Sequence, residues 1–193
     1  KGVYFYALSS LRKLYSYEHP HTEQNFGTGI QYFYNDSVWS ANFTYEHWFK
    51  GYFAKNKSLL LELSKNMKIY NRNVSLILIP SYQNKQADFF MNNLYTNHFQ
   101  WENQHSMYSE WAVDIGIKEK SNSLFFTFKH IRNANYFDRF SQPQVDSNNL
   151  YFTAFVLHKT FNIGHFYLLN RLFVQSLSDT LISVPTFAGY HML

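Results

Sequence analysis

The chain has no cysteine among its 193 residues. That absence rules out a disulfide scaffold, a thiolate zinc site and a cysteine nucleophile together. It also suits a chain that crosses an oxidising compartment. Long hydrophobic runs are missing too: apolar runs such as Leu76 to Pro80 fall far short of the roughly 18 to 20 residues a transmembrane helix needs, which excludes a helical membrane protein. Charge of one sign is scarce, since 17 Lys and Arg against 13 Asp and Glu leave a net charge of +4 with histidine neutral. The basic residues are scattered, so no nucleic-acid footprint is expected. Lys1 opens the sequence without a methionine, a basic n-region or an apolar h-region. A signal peptide is therefore expected to have been removed, or the chain to be a piece of something longer.

What is abundant is aromatic. With 20 Phe and 16 Tyr the chain is 46% hydrophobic, yet its mean hydropathy is −0.37 because Asn, Ser and Gln dilute the rings. The dominant period is two. In "VWSANFTYEHWF", Trp39, Ala41, Phe43, Tyr45 and Phe49 alternate with Ser40, Asn42, Thr44 and Glu46, as in a strand with one apolar and one polar face. In "SMYSEWAVDIGIKEK", Met107, Trp111, Val113, Ile115 and Ile117 oppose Tyr108, Glu110, Asp114, Gly116 and Lys118. Similar segments begin near Val3, Asn25, Lys57, Asn73, Asn93, Ser123, Leu150, Gly164 and Ile182, with turn signals at Asn35-Asp36, Asn103, Ser121-Asn122 and Asn162-Ile163-Gly164. The spacing predicts roughly eleven antiparallel strands of about 10 residues, with helix confined to a short turn inside a loop. Longer connections are expected at Leu11 to Glu23, Gln83 to Asn92 and Asn133 to Asn149. The last breaks the alternation of long and short connections. A strand near Tyr136 to Phe140, or a miscount upstream, would account for it.

Alternation does not say which face meets water. A soluble sandwich buries its apolar face, whereas a membrane barrel turns it outward to lipid and keeps the polar face wet. Aromatics near strand ends, such as Trp39 and Phe49, favour the barrel because interfaces carry aromatic girdles. The long, uniform strands favour it as well. The expected fold is all-β: residues 1–193 as a single domain, a segment of an antiparallel transmembrane β-barrel. Arg171 shares a parity with His165, Tyr167 and Gln175, opposite Phe166, Leu168, Leu172 and Val174. A lipid-facing arginine at the midplane would cost about 2–4 kcal/mol, so this parity marks the wet side. Asn170 then falls on the lipid parity, a defect that an interfacial position or a local bulge would absorb.

The wet-face charges Glu46, Glu110, Asp114, Lys118, Lys129 and Arg171 are the candidate pore-lining residues. Two readings stay open: they bias the passage of charged solutes, or they only hydrate and salt-bridge a polar interior that a plug can fill. Metal chemistry is not expected. His19-Pro20-His21, with Glu18 and Glu23 nearby, reads as a solvated loop, because a metal site wants three or four ligands of defined geometry. His98, His130, His158 and His165 stand singly in strands. Glu46, Glu62, Glu110 and Asp114 share the wet parity, but no spacing singles out an acid–base pair. No Gly-x-Ser-x-Gly, His-Glu-x-x-His or phosphate-binding glycine loop occurs. Neither an enzyme nor a cofactor is expected.

The run from Asn133 to Phe187 carries Asn135-Tyr136, then Gln142-Pro143, the hairpin Lys159-Thr160-Phe161-Asn162-Ile163-Gly164, the pair Asn170-Arg171 and the ending Pro185-Thr186-Phe187. In these features it resembles the family of putative porins of Bacteroidetes-type outer membranes. "NHFQWENQ", Asn97 to Gln104, is similar to the Asn-His-Phe-x-Trp element of that family. The resemblance covers Asn93 to Leu193 closely and the first half in general style. It implies a long, signal-bearing barrel of which this chain is an interior window. An odd strand count with unpaired edges and an ending at His191-Met192-Leu193 without a terminal aromatic fit the same expectation. The expected function is passive diffusion of small hydrophilic solutes across a bacterial outer membrane, in contact with membrane lipid and lipopolysaccharide and with no nucleic acid. The alternative is a structural barrel subunit, or a client of a larger assembly of outer-membrane proteins.

Overall fold

The computed structural model describes residues 1–14, 21–96, 98–163, 166–179 and 184–192. In chain order the elements are β1 (Gly2–Leu14), β2 (His21–Asn35), β3 (Trp39–Lys50), β4 (Lys57–Ile69), β5 (Arg72–Lys85), α1 (Phe89–Asn92), β6 (Asn93–Tyr95) and β7 (Gln100–Glu102). They continue with β8 (Tyr108–Glu119), β9 (Asn122–Arg132), β10 (Ala134–Phe137), β11 (Pro143–Asp146), β12 (Leu150–Ile163), β13 (Phe166–Leu177) and β14 (Phe187–Met192). Ten strands form one antiparallel meander, in the order β1-β2-β3-β4-β5-β8-β9-β12-β13-β14; β6–β7 and β10–β11 are separate two-stranded hairpins. The class is all-β, and the four-residue α1 lies inside a loop. β1 and β14 do not pair with each other, so the sheet is open.

Local chemistry sets the turns at one end of this wall. Tyr70 and Asn71 both take positive φ, 46° and 62°, the two-residue turn whose twist matches the flanking strands. Lys120 does the same between β8 and β9, with φ 51°. Between β2 and β3, Asp36 Oδ1 accepts from the backbone N–H groups of Val38 (2.7 Å) and Trp39 (2.6 Å), an Asx turn. The long connections β3–β4, β5–β8, β9–β12 and β13–β14 all lie at the opposite end. We refer to the short-turn end and the long-loop end.

The alternation of long and short connections is therefore unbroken. The segment from Asn93, which the spacing reads as a wall strand, is instead the β6–β7 hairpin within the β5–β8 connection, so the wall has ten strands rather than about eleven. Its alternation is too short to build a ladder: Thr96 Oγ1 bonds both the N–H and the carbonyl of Phe99 at 3.0 Å and turns the chain back after three residues of strand. The strand anticipated near Tyr136 exists as β10, but it pairs with β11 inside the loop.

Pairing places alternate residues on two continuous faces. One polar row runs Tyr6, Gly29, Glu46, Ser58, Gln83, Glu110, Ile131 and Leu150 from β1 to β12. The exposure of the faces is inverted relative to a water-soluble sandwich. Phe5, Trp111, Ile115, Phe155 and Val174 on the apolar face are exposed, whereas Asn25, Glu110, Ala112 and Ala154 on the polar face are buried. The polar face is thus the enclosed side, as on the inside of a curved sheet, and no second layer of strands covers the apolar face among the described residues.

Two glycines show how the enclosed face is kept low. A Cβ on Gly29 would lie 2.3 Å from the Tyr6 ring, and one on Gly116 would lie 2.3 Å from the Phe125 ring. Each aromatic lies flat across the neighbouring strand because its partner has no side chain. Pro80 interrupts the β4–β5 ladder between the pairs Leu60↔Ser81 and Leu63↔Leu78, since it has no N–H to donate. Asn170 does fall on the apolar face, opposite Lys159 and His191, but β12–β13 pairing is continuous there, so no bulge absorbs it. Its Oδ1 instead lies 2.6 Å from His191 Nδ1. The bulge that does occur is in β2–β3, where Phe49 is skipped between the pairs Phe26↔Lys50 and Gly27↔Trp48.

Candidate pore-lining face

Glu46, Glu110, Asp114, Lys118, Lys129 and Arg171 all lie on the polar face. They are not one cluster. Glu46 Oε1 accepts from the Tyr6 hydroxyl at 3.1 Å and Oε2 from Ser58 Oγ at 3.3 Å. The Tyr6 bond spans all of β2, which is possible because Gly29 leaves room for the ring. Glu110, only 8% exposed, pairs with Lys129 Nζ at 3.1 Å and accepts a short bond from the Tyr108 hydroxyl. Asp114 accepts from the Thr127 hydroxyl one strand away.

Lys118 and Arg171 stand apart, toward the short-turn end. They share the cross-strand row Ser75, Lys118, Ser123, His158, Arg171 and Tyr190. Lys129–Glu110 and Arg72–Glu119 form ion pairs, and neither involves these two cations. The Arg171 guanidinium lies 4.7 Å from the centroid of the Phe173 ring, two positions on along the same face.

Glu46 on β3 and Glu110 on β8 have β4 and β5 between them, so they cannot act as one acid–base pair. Among the described residues no three His, Asp or Glu side chains converge as metal ligands. Glu18, His19 and Pro20 lie outside the described residues, as do Gly164 and His165; His21 opens β2. Sequence reasoning missed Tyr6, Ser58 and Thr127 as partners of the carboxylates, and His158 as the cross-strand neighbour of Arg171. Their signal is the register across strands, which parity within a strand does not contain.

The apolar face has its own order. Leu59, Tyr82, Trp111, His130 and Tyr151 share one row toward the long-loop end, with Tyr82–Trp111 ring centroids 4.4 Å apart and His130–Tyr151 centroids 5.0 Å apart. Toward the short-turn end, Lys65 Nζ lies 5.0 Å over the Trp39 ring. Leu, Ile, Val and Phe fill the rows between, as in Leu78↔Ile115↔Phe126↔Phe155↔Val174.

At the long-loop end the loops are tied together. The Tyr52 hydroxyl donates to the Ala87 carbonyl (2.7 Å) and accepts from Asn92 Nδ2 (2.6 Å), and burial pushes its phenol above the ordinary pKa. Asn92 Oδ1 accepts from the His105 N–H at 3.0 Å, and Asn56 Oδ1 from the Gln86 N–H at 2.7 Å. Asn133 Nδ2 reaches the Met107 carbonyl at 2.9 Å. Loop 51–56 is pinned to the wall by the Phe53 N–H on Asn25 Oδ1 at 2.9 Å.

No curated protein and no solved structure matches the chain. A family model described as "Putative porin" matches residues 3–193. That span includes the first half of the chain, where the sequence resembles the family only in general style. The protein belongs to the Putative porin family.

Proposed function

We propose that this chain forms part of the wall of a bacterial outer-membrane barrel, and that its polar face lines a water-filled path through which small hydrophilic solutes diffuse passively. The observation that carries this reading is the inverted exposure on β1, β8, β9 and β12, where the apolar face is the more open and the polar face the more enclosed. In water an open face of this kind would be a large sticky patch; against lipid it is the stable arrangement. Membrane lipid and lipopolysaccharide are the partners of the apolar face, with its aromatic and basic residues at the two interfaces. From Trp111 to Glu119 the strand rises roughly 27 Å, or about 21 Å along the membrane normal at a tilt near 40°. That is close to the height of an outer-membrane apolar band. The role is transport rather than catalysis, since the carboxylates of the polar face are held apart.

Single-channel recording of the full-length protein in a planar bilayer tests this, alongside a boiled and an unboiled sample on a gel. Discrete conductance steps from a heat-modifiable band are expected. A heat-modifiable band that never conducts would discard the diffusion pathway and favour the structural barrel subunit. In that case, stable co-purification with other outer-membrane proteins in mild detergent would identify the assembly.

A further inference from the structure

We infer that the short-turn end of the polar face selects for small anionic solutes, with Arg171 and Lys118 as the specificity-determining residues; the inference rests on the diffusion pathway proposed above. Charge on this face is segregated along the strands. Glu46, Glu62, Glu110 and Asp114 occupy the middle and the long-loop half, and Glu46, Glu110 and Asp114 are engaged by neighbouring donors. The row at the short-turn end holds Lys118, His158 and Arg171 with hydroxyls between them and no carboxylate. Asp114, the nearest acid on the polar face of the Lys118 strand, is about 13 Å away along it and is bonded to Thr127.

The other carboxylates at that end are taken. Asp36 is engaged by backbone N–H groups of its own turn, and Glu119 lies on the apolar face, 3.4 Å from Arg72. Arg171 and Lys118 are three strand spacings apart, about 14 Å, a span over which a hydrated anion meets both positive charges at once. The Phe173 ring holds the guanidinium against the wall without neutralising it, leaving its N–H donors free for a carboxylate or phosphate.

The test is the reversal potential of the full-length protein in a planar bilayer under a potassium chloride gradient, repeated with potassium phosphate. The unsubstituted channel is expected to favour the anion in both salts. Combined Arg171→Gln and Lys118→Gln should lower the anion-to-cation permeability ratio by about threefold, the size expected for removing nearby charges in a hydrated path. Arg72→Gln removes a positive charge at the same end but from the opposite face, and should leave the ratio unchanged. Arg171→Lys should preserve it. If the double variant does not give a heat-modifiable band, the exposed Lys118→Gln alone carries the test. Conductance steps without anion preference, or a ratio unmoved by these substitutions, would overturn the inference and leave the diffusion pathway standing. No steps from the unsubstituted protein would overturn both.

Discussion

Ile115 and Ala112 lie three residues apart on β8, yet Ile115 is 53% exposed and Ala112 only 5%. The contrast reverses on β4, with Leu60 of the polar face 39% exposed, and holds on β1, β8, β9 and β12, where the face carrying large aliphatic and aromatic side chains is the more open one. A protein folding in water would reverse this, because burying apolar area is the main favourable term. Here the interior strands make their backbone hydrogen bonds within the sheet, and on the proposed reading the apolar side chains meet a solvent that is itself apolar. The comparison is what the proposed barrel requires of faces that answer to different solvents, and it can be broken by exchanging what each face carries.

The largest effect is expected from Ile115→Arg. A charge in the middle of the apolar face should cost about 2–4 kcal/mol, whereas Asp114→Asn, one position away on the polar face, should cost about 1 kcal/mol or less. Denaturant titration of vesicle-inserted protein, read from the heat-modifiable band, measures both. Equal costs would mean that the faces do not meet different solvents. Gly116→Val comes next. The new Cβ would lie 2.3 Å from the Phe125 ring, so the ring must turn off the wall, at about 1–3 kcal/mol. Single-channel conductance should fall at the same time, because the ring is displaced into the path.

Tyr52→Phe acts on the loops instead of the wall. Losing the hydroxyl that joins Ala87 and Asn92 should cost about 1 kcal/mol, visible as faster proteolysis within residues 86–107 with the heat-modifiable band unchanged. The smallest effect concerns Asp138, whose carboxyl is held below the usual range by the backbone N–H of Gln142, then by that of Phe140, with Gln144 Nε2 assisting. A depressed pKa means that its contribution is fully present above the ordinary carboxylate value and is lost as pH falls through the lower folded value. Protection of the Phe140 and Gln142 N–H groups should therefore be lost, their exchange approaching the intrinsic rate, only in strong acid, and at neutral pH in Asp138→Ala.

Much of the wall was legible in the sequence. Trp39, Ala41, Phe43 and Tyr45 share a face, as do Val113, Ile115 and Ile117, because a strand reverses its side chains at every residue and the pattern ran for a full strand length. Asn93 misled for the same reason in miniature: alternation over three residues looks the same whether it ends in a wall or in a loop hairpin. Asn170 shows the limit from the other side. Its parity was readable, but its partner His191 lies on the next strand, 21 residues away.

The sequence by itself determined the all-β class, the two-faced strands and the membership of Arg171 and the carboxylates in the polar face, since each depends only on the two-residue period of an extended chain. It also determined the tight turns, through residues such as Asp36 that bond their own backbone. Tertiary structure alone decided the rest: ten wall strands among the described residues, the row that joins Tyr6 across Gly29 to Glu46, and the row, free of carboxylates, that holds Lys118 and Arg171. Those features are set by the register between strands, a long-range alignment that the full set of cross-strand contacts selects and that no local pattern contains.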